Sequence, residues 1–113
     1  MTSAALPTRQ VGPVTLIHLG SRLTTDTAAL LHLAVTTSVA EGRKELVLEC
    51  EEIAAVDSQG LGMLVRQWVS VERQGGRLKL VKLSPTLRQA LQLTRLLDVI
   101  PSFDDISAAL RSF

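Results

Sequence analysis

Short apolar runs alternate along this chain with stretches of helical periodicity, and that alternation constrains the fold more than any other feature. Residues 13–20, bracketed by Pro13 and Gly20, are rich in β-branched and apolar side chains and read as a strand. Thr24-Thr25-Asp26 then offers helix caps, Leu30, Leu31, Ala34, Val35 and Val39 recur at helical spacing, and Gly42 closes that helix. Leu46-Val47-Leu48 suits a buried central strand. A linker with Ile53 and Val56 leads into a second helix over 58–74. Its core stripe is Leu61, Leu64, Val65, Trp68 and Val71, while Gln59, Met63, Arg66, Gln67 and Ser70 fall largely on other faces. After Gly75-Gly76, residues 77–83 alternate as a strand, with Leu78 and Leu80 on one face and Arg77 and Lys79 on the other. Its lysines suit a position near a sheet edge. Ser84-Pro85 heads a third helix with Leu87, Ala90 and Leu91 inward. Asp98-Val99-Ile100 reads as a short extended piece, and Ser102 with Asp105 as a capping pair for a last helix ending near Phe113. Residues 1–10 form either a loose arm or an edge strand. The expectation is an α/β fold: one domain over 1–113, a small mixed β-sheet flanked by helices.

Composition narrows the function. At 113 residues, 46% of them apolar, the chain supports one packed core. A formal net charge of +1 supplies no field for capturing nucleic acid or an anionic membrane. The six basic residues between Arg73 and Arg95 are spread over three elements without interleaved aromatics, as on a solvated edge. Cys50 stands alone, which excludes an internal disulfide, and His18 and His32 are too few for a His₃ zinc centre. Cys50 reads as a small buried hydrophobe and Trp68 as packing. No apolar run approaches the roughly 18 residues of a membrane span. The start MTSAALPTRQ lacks the look of a signal peptide, so a cytoplasmic location is expected. No acid–base pair, nucleophile triad, P-loop or dinucleotide fingerprint is present. The expectation is a binding protein without cofactor, monomeric or weakly dimeric, rather than an enzyme.

Asp57-Ser58-Gln59-Gly60-Leu61-Gly62 does not look like ordinary core. Two glycines occupy the first turns of the second helix, where each costs about 1 kcal/mol relative to Ala. Their missing side chains would let another macromolecule's backbone approach Ser58. Ser58 has two readings. As an N-cap it accepts a backbone N–H, with Asp57 able to cap instead. As a phosphorylation site it would gain about −1.5 to −2 charge at a positive helix end beside Asp57, a large electrostatic change on an unchanged fold. A third possibility, a weak nucleotide-binding sensor, rests on the same loop as a phosphate seat but lacks a P-loop lysine.

The six residues 57–62 resemble the D-S-x-G-L-G signature of STAS-domain proteins, specifically the bacterial anti-sigma factor antagonists. Leu46-Val47-Leu48-Glu49 resembles the strand before that signature and Gln74-Gly75-Gly76-Arg77-Leu78 the turn and strand after it. Leu83-Ser84-Pro85 and Leu93-Thr94-Arg95-Leu96-Leu97 are similar to the family's C-terminal half. The resemblance implies a protein that binds an anti-sigma factor serine kinase and so frees a sigma factor for transcription. It also implies that the kinase phosphorylates Ser58 to end binding and that a serine phosphatase restores it. The implied partner surface comprises Asp57, Ser58, Gln59, Gly60, Gly62, Met63, Arg22 and Thr24. One departure stands out. Many members carry G-x-L-D before the first helix, with the acid contributing to kinase recognition. Here the stretch is Ser21-Arg22-Leu23-Thr24, which keeps open a STAS scaffold or a subunit of another signalling or lipid-transport assembly without phospho-switching.

Overall fold

A computed structural model describes residues 5–113. The chain runs β1 (Thr8–Val11), β2 (Val14–His18), β3 (Arg22–Leu23), α1 (Ala28–Ala40), β4 (Glu45–Glu49), β5 (Ala55–Val56), α2 (Ser58–Arg73), β6 (Arg77–Val81), α3 (Pro85–Leu93), β7 (Ser102–Phe103) and α4 (Ile106–Arg111). Five strands make one sheet in the order β1-β2-β4-β6-β7. Only β1 and β2 are antiparallel, closed by a two-residue turn at Gly12-Pro13 in which Gly12 has φ +60°. The remaining pairs are parallel, which a chain achieves by returning through helices.

Side-chain alternation sends neighbouring strand residues to two different cores. Leu46, Leu48, Leu78 and Leu80 face a large cluster with Leu31, Val35, Leu61, Leu64, Val71, Leu87 and Leu91 of α1, α2 and α3. Val47, with Leu16 and Val81, faces a smaller one under α4, with Ala109, Phe103, Ile106 and Phe113. The run Leu46-Val47-Leu48 is apolar throughout because both faces of β4 are covered.

Several sequence expectations are corrected. Of the two readings offered for residues 1–10, the edge strand holds for residues 8–10, which belong to β1 (Thr8–Val11); residues 1–4 lie outside the described residues. The linker around Val56 contains β5. Asp98-Val99-Ile100 is a turn, closed by bonds from the Val99 and Ile100 N–H groups to the Leu96 carbonyl, and the extended piece is β7 after Pro101. Asp105 caps α4 by accepting from the Ala108 N–H at 2.7 Å, whereas Ser102 lies in β7. The cap position of α1 is Thr27, not Thr24-Thr25-Asp26. β6 is indeed second from the sheet edge, but Lys79 is not in solvent. It is only 7% exposed, donates to the Ser112 carbonyl (2.9 Å) and hydroxyl (2.7 Å), and lies 4.2 Å from the Phe113 ring centroid. Burial, then the nearby Arg77, holds its ammonium below the ordinary lysine value. Gln67, placed largely off the core stripe, is 4% exposed and meets His32 Nδ1 at 2.9 Å. Leu61 and Leu64 are buried as expected, and Trp68 is half-buried against the same core. Cys50 is fully buried, and burial pushes its thiol far above the ordinary range.

Candidate functional site

The site is assembled by the smallest elements. β3 and β5 pair in parallel, Arg22 opposite Ala55 and Leu23 opposite Val56, forming a two-stranded sheet apart from the main one. This pairing lays the loop from 21 to 27 against the head of α2. The Asp57 N–H continues it by donating to the Leu23 carbonyl at 3.2 Å.

Asp57 is the N-cap of α2, its backbone extended at φ −126°, ψ 175°. One carboxylate oxygen, Oδ1, accepts from the Gly60 N–H at 2.8 Å, the usual capping bond. The other, Oδ2, accepts from the Thr25 N–H at 2.9 Å and the Thr25 hydroxyl at 3.0 Å. A single carboxylate therefore caps the helix and ties it to the α1 approach. The Gly60 N–H, then that of Thr25, hold its carboxyl below the ordinary value of 3.8.

With Asp57 in the capping role, Ser58 is released from it. Ser58 is the first helical residue, exposed, and its hydroxyl makes no hydrogen bond among the described residues. Gln59 is exposed beside it. The two glycines separate in role. A Cβ on Gly60 would lie 2.0 Å from the Leu23 carbonyl oxygen, so Gly60 is required by the crossing of β3 over α2, not by an external partner. A Cβ on Gly62 would meet only an Arg66 guanidinium nitrogen, at 3.5 Å, so no internal packing demands glycine there.

Thr24, in place of the acid usual at that position in the resemblance, is 6% exposed and does not present its side chain outward. Its hydroxyl donates to the Asp26 carboxylate, and Arg22 reaches the same group from the other side, Nε to Oδ2 at 3.3 Å. The Thr24 hydroxyl, then Arg22, hold the Asp26 carboxyl below its ordinary value. The loop thus carries an exposed carboxylate after all, two residues later than the motif places it. Met63 is half-buried, its sulfur accepting from Gln67 Nε2 at 3.2 Å.

Of the expected surface residues, Arg22, Ser58, Gln59 and Gly62 line the exposed head of α2 and its loop, and Asp57 braces them. Thr24 and Gly60 lie inside. Sequence reasoning missed Thr25 and Asp26 as part of the site, because Thr25 meets Asp57 across 32 positions and no local pattern signals it. Among the described residues no cluster of three or more His, Cys, Asp or Glu could hold a metal ion. Among the described residues no helix is long and apolar enough to cross a membrane.

The STAS domain family model matches residues 5–109. The anti-sigma-B factor antagonist of Bacillus subtilis (strain 168) is 39% identical over 70 residues, which are 62% of this chain and 61% of that protein's length. A crystal structure of a candidate anti-sigma factor antagonist from Thermotoga maritima superposes with a TM-score of 0.87 at 25% identity, covering 95% of this chain and 92% of that one. The Bacillus cell fate determinant SpoIIAA in its phosphorylated form superposes at 0.73 with 22% identity, covering 96% of this chain and all of that one, a likeness of fold.

Proposed function

Because this chain belongs to the STAS domain family, we propose that it is a phospho-switched antagonist of an anti-sigma factor, a binding protein rather than a catalyst. The observation that carries the proposal is the free hydroxyl of Ser58, exposed at the head of α2 while Asp57 does the capping. The unmodified surface of Ser58, Gln59, Gly62, Arg22 and the neighbouring loop docks on a serine-kinase anti-sigma factor in the cytoplasm and frees the sigma factor. Transfer of a phosphoryl group to Ser58 adds about −1.5 to −2 charge next to Asp57. The fold tolerates that charge, since it lies at a helix N-terminus and the cap does not depend on Ser58. The interface does not, since it must desolvate two like charges. A serine phosphatase reverses the change.

The test is a titration of the partner with wild type, Ser58→Ala and Ser58→Asp, together with mass spectrometry of Ser58 from cells. Ser58→Ala should bind as wild type and lose the phosphate. Ser58→Asp should fold normally and bind roughly 100- to 1000-fold more weakly, two to three steps of about 1.4 kcal/mol. Equal dissociation constants for all three would overturn the switch and favour the scaffold reading, which the buried Thr24 in place of an outward acid keeps alive.

A further inference from the structure

Resting on the reading of Ser58 as the phosphoacceptor, we propose that Arg66 is the built-in counter-charge to the phosphate, its guanidinium lying over the gap left by Gly62. Ser58, Gly62 and Arg66 follow one another at four-residue spacing on a single face of α2. Helical side chains lean toward the N-terminus, so Arg66 extends toward Ser58 rather than away from it. Its guanidinium nitrogen already lies 3.5 Å from where a Gly62 Cβ would sit, one turn along the way. Eight residues of helix rise about 12 Å, and the guanidinium covers roughly half of that. The Ser58 side chain leans the same way, off the head of the helix, so the remaining several ångströms are spanned by the attraction between the two charges and not by a direct bond. A side chain longer than that of alanine at 62 would displace the guanidinium from this position.

Arg66 is also available. It is exposed, and it makes no ion pair or hydrogen bond among the described residues, unlike Arg9, Arg22 and Arg43. The other charged groups around the head of α2 are already engaged. Asp57 is held by Gly60 and Thr25, and Arg22 is paired with Asp26. Among the described residues, Arg66 is therefore the cation of this helix face near enough for a phosphate at Ser58 to attract without breaking an existing contact.

The test separates this proposal from the one it rests on by installing phosphoserine at position 58 during translation, with no kinase. The second ionisation of the phosphate is followed by phosphorus NMR at low ionic strength in the full chain, in Arg66→Gln and in Arg73→Gln. Arg73 is an equally exposed cation at the far end of the same helix. The guanidinium favours the doubly charged phosphate, so Arg66→Gln should raise its pKa by about half a unit while Arg73→Gln leaves it unchanged. Salt at about 1 M should remove most of the difference. Equal pKa values in wild type and Arg66→Gln at low salt would overturn the pairing. Failure to find phosphorylated Ser58 in cells would overturn the switch instead, and leaves this measurement unaffected.

Discussion

At the scale of single residues, the two glycines of the signature make opposite demands. Gly60 lies under the Leu23 carbonyl, a backbone atom that cannot swing aside. Gly60→Ala should cost about 3 kcal/mol or more, the upper range for overpacking. Gly62→Ala should stabilise by up to about 1 kcal/mol through helix propensity, since its nearest neighbour is a flexible guanidinium. Urea unfolding of the two variants checks the pair, and similar midpoints would refute the distinction. Asp57 sets an acid limit. Its folded pKa lies below the unfolded one, so its contribution is present above the ordinary carboxylate value of 3.8 and is lost as pH falls through the lower folded value. Asp57→Asn should therefore show a shallower loss of thermal midpoint than wild type between about pH 4 and pH 2. Parallel curves would mean that the carboxylate charge is not what the cap and the Thr25 contacts favour.

At the scale of elements, α4 depends on an unusual tether. The Lys79 ammonium is enclosed by Ser112 and the rings of Phe103 and Phe113, on the sheet face that α4 covers. Lys79→Met keeps the aliphatic stem and should change stability by less than about 1.5 kcal/mol. Lys79→Glu would face carbonyl and ring groups with an uncompensated charge, and should cost about 3 kcal/mol or more. Calorimetry of both separates packing from charge. The same lysine shows where sequence reading stops. The long elements were legible, because α1, α2, α3, β2, β4 and β6 each contain enough residues to display a period. The two-residue strands β3, β5 and β7 display none; they exist only through partners far along the chain. Polarity misassigned Lys79 and Gln67 because their partners, Ser112 and His32, come from other elements. At the site, the signature located Ser58 and Asp57, whereas the brace through Thr25 and the carboxylate at Asp26 needed the fold.

At the scale of the whole molecule, two apolar cores hold the described residues together, and a single cysteine leaves no internal disulfide. Cys50 is enclosed in the larger core. A chelator or a reductant should leave the thermal midpoint within about one degree, and a larger shift from either would reveal a site outside this description. The parallel sheet has a second consequence. Val14 pairs with Glu45 and Glu45 with Arg77, partners about thirty residues apart, so the parallel pairing is non-local and slow to form. The contact of Thr25 with Asp57 spans a similar distance. A nascent chain therefore carries the motif as letters but not as a shape. A partner that grips Ser58 together with the loop before α1 reads a conformational epitope, and its binding certifies that the domain has finished folding.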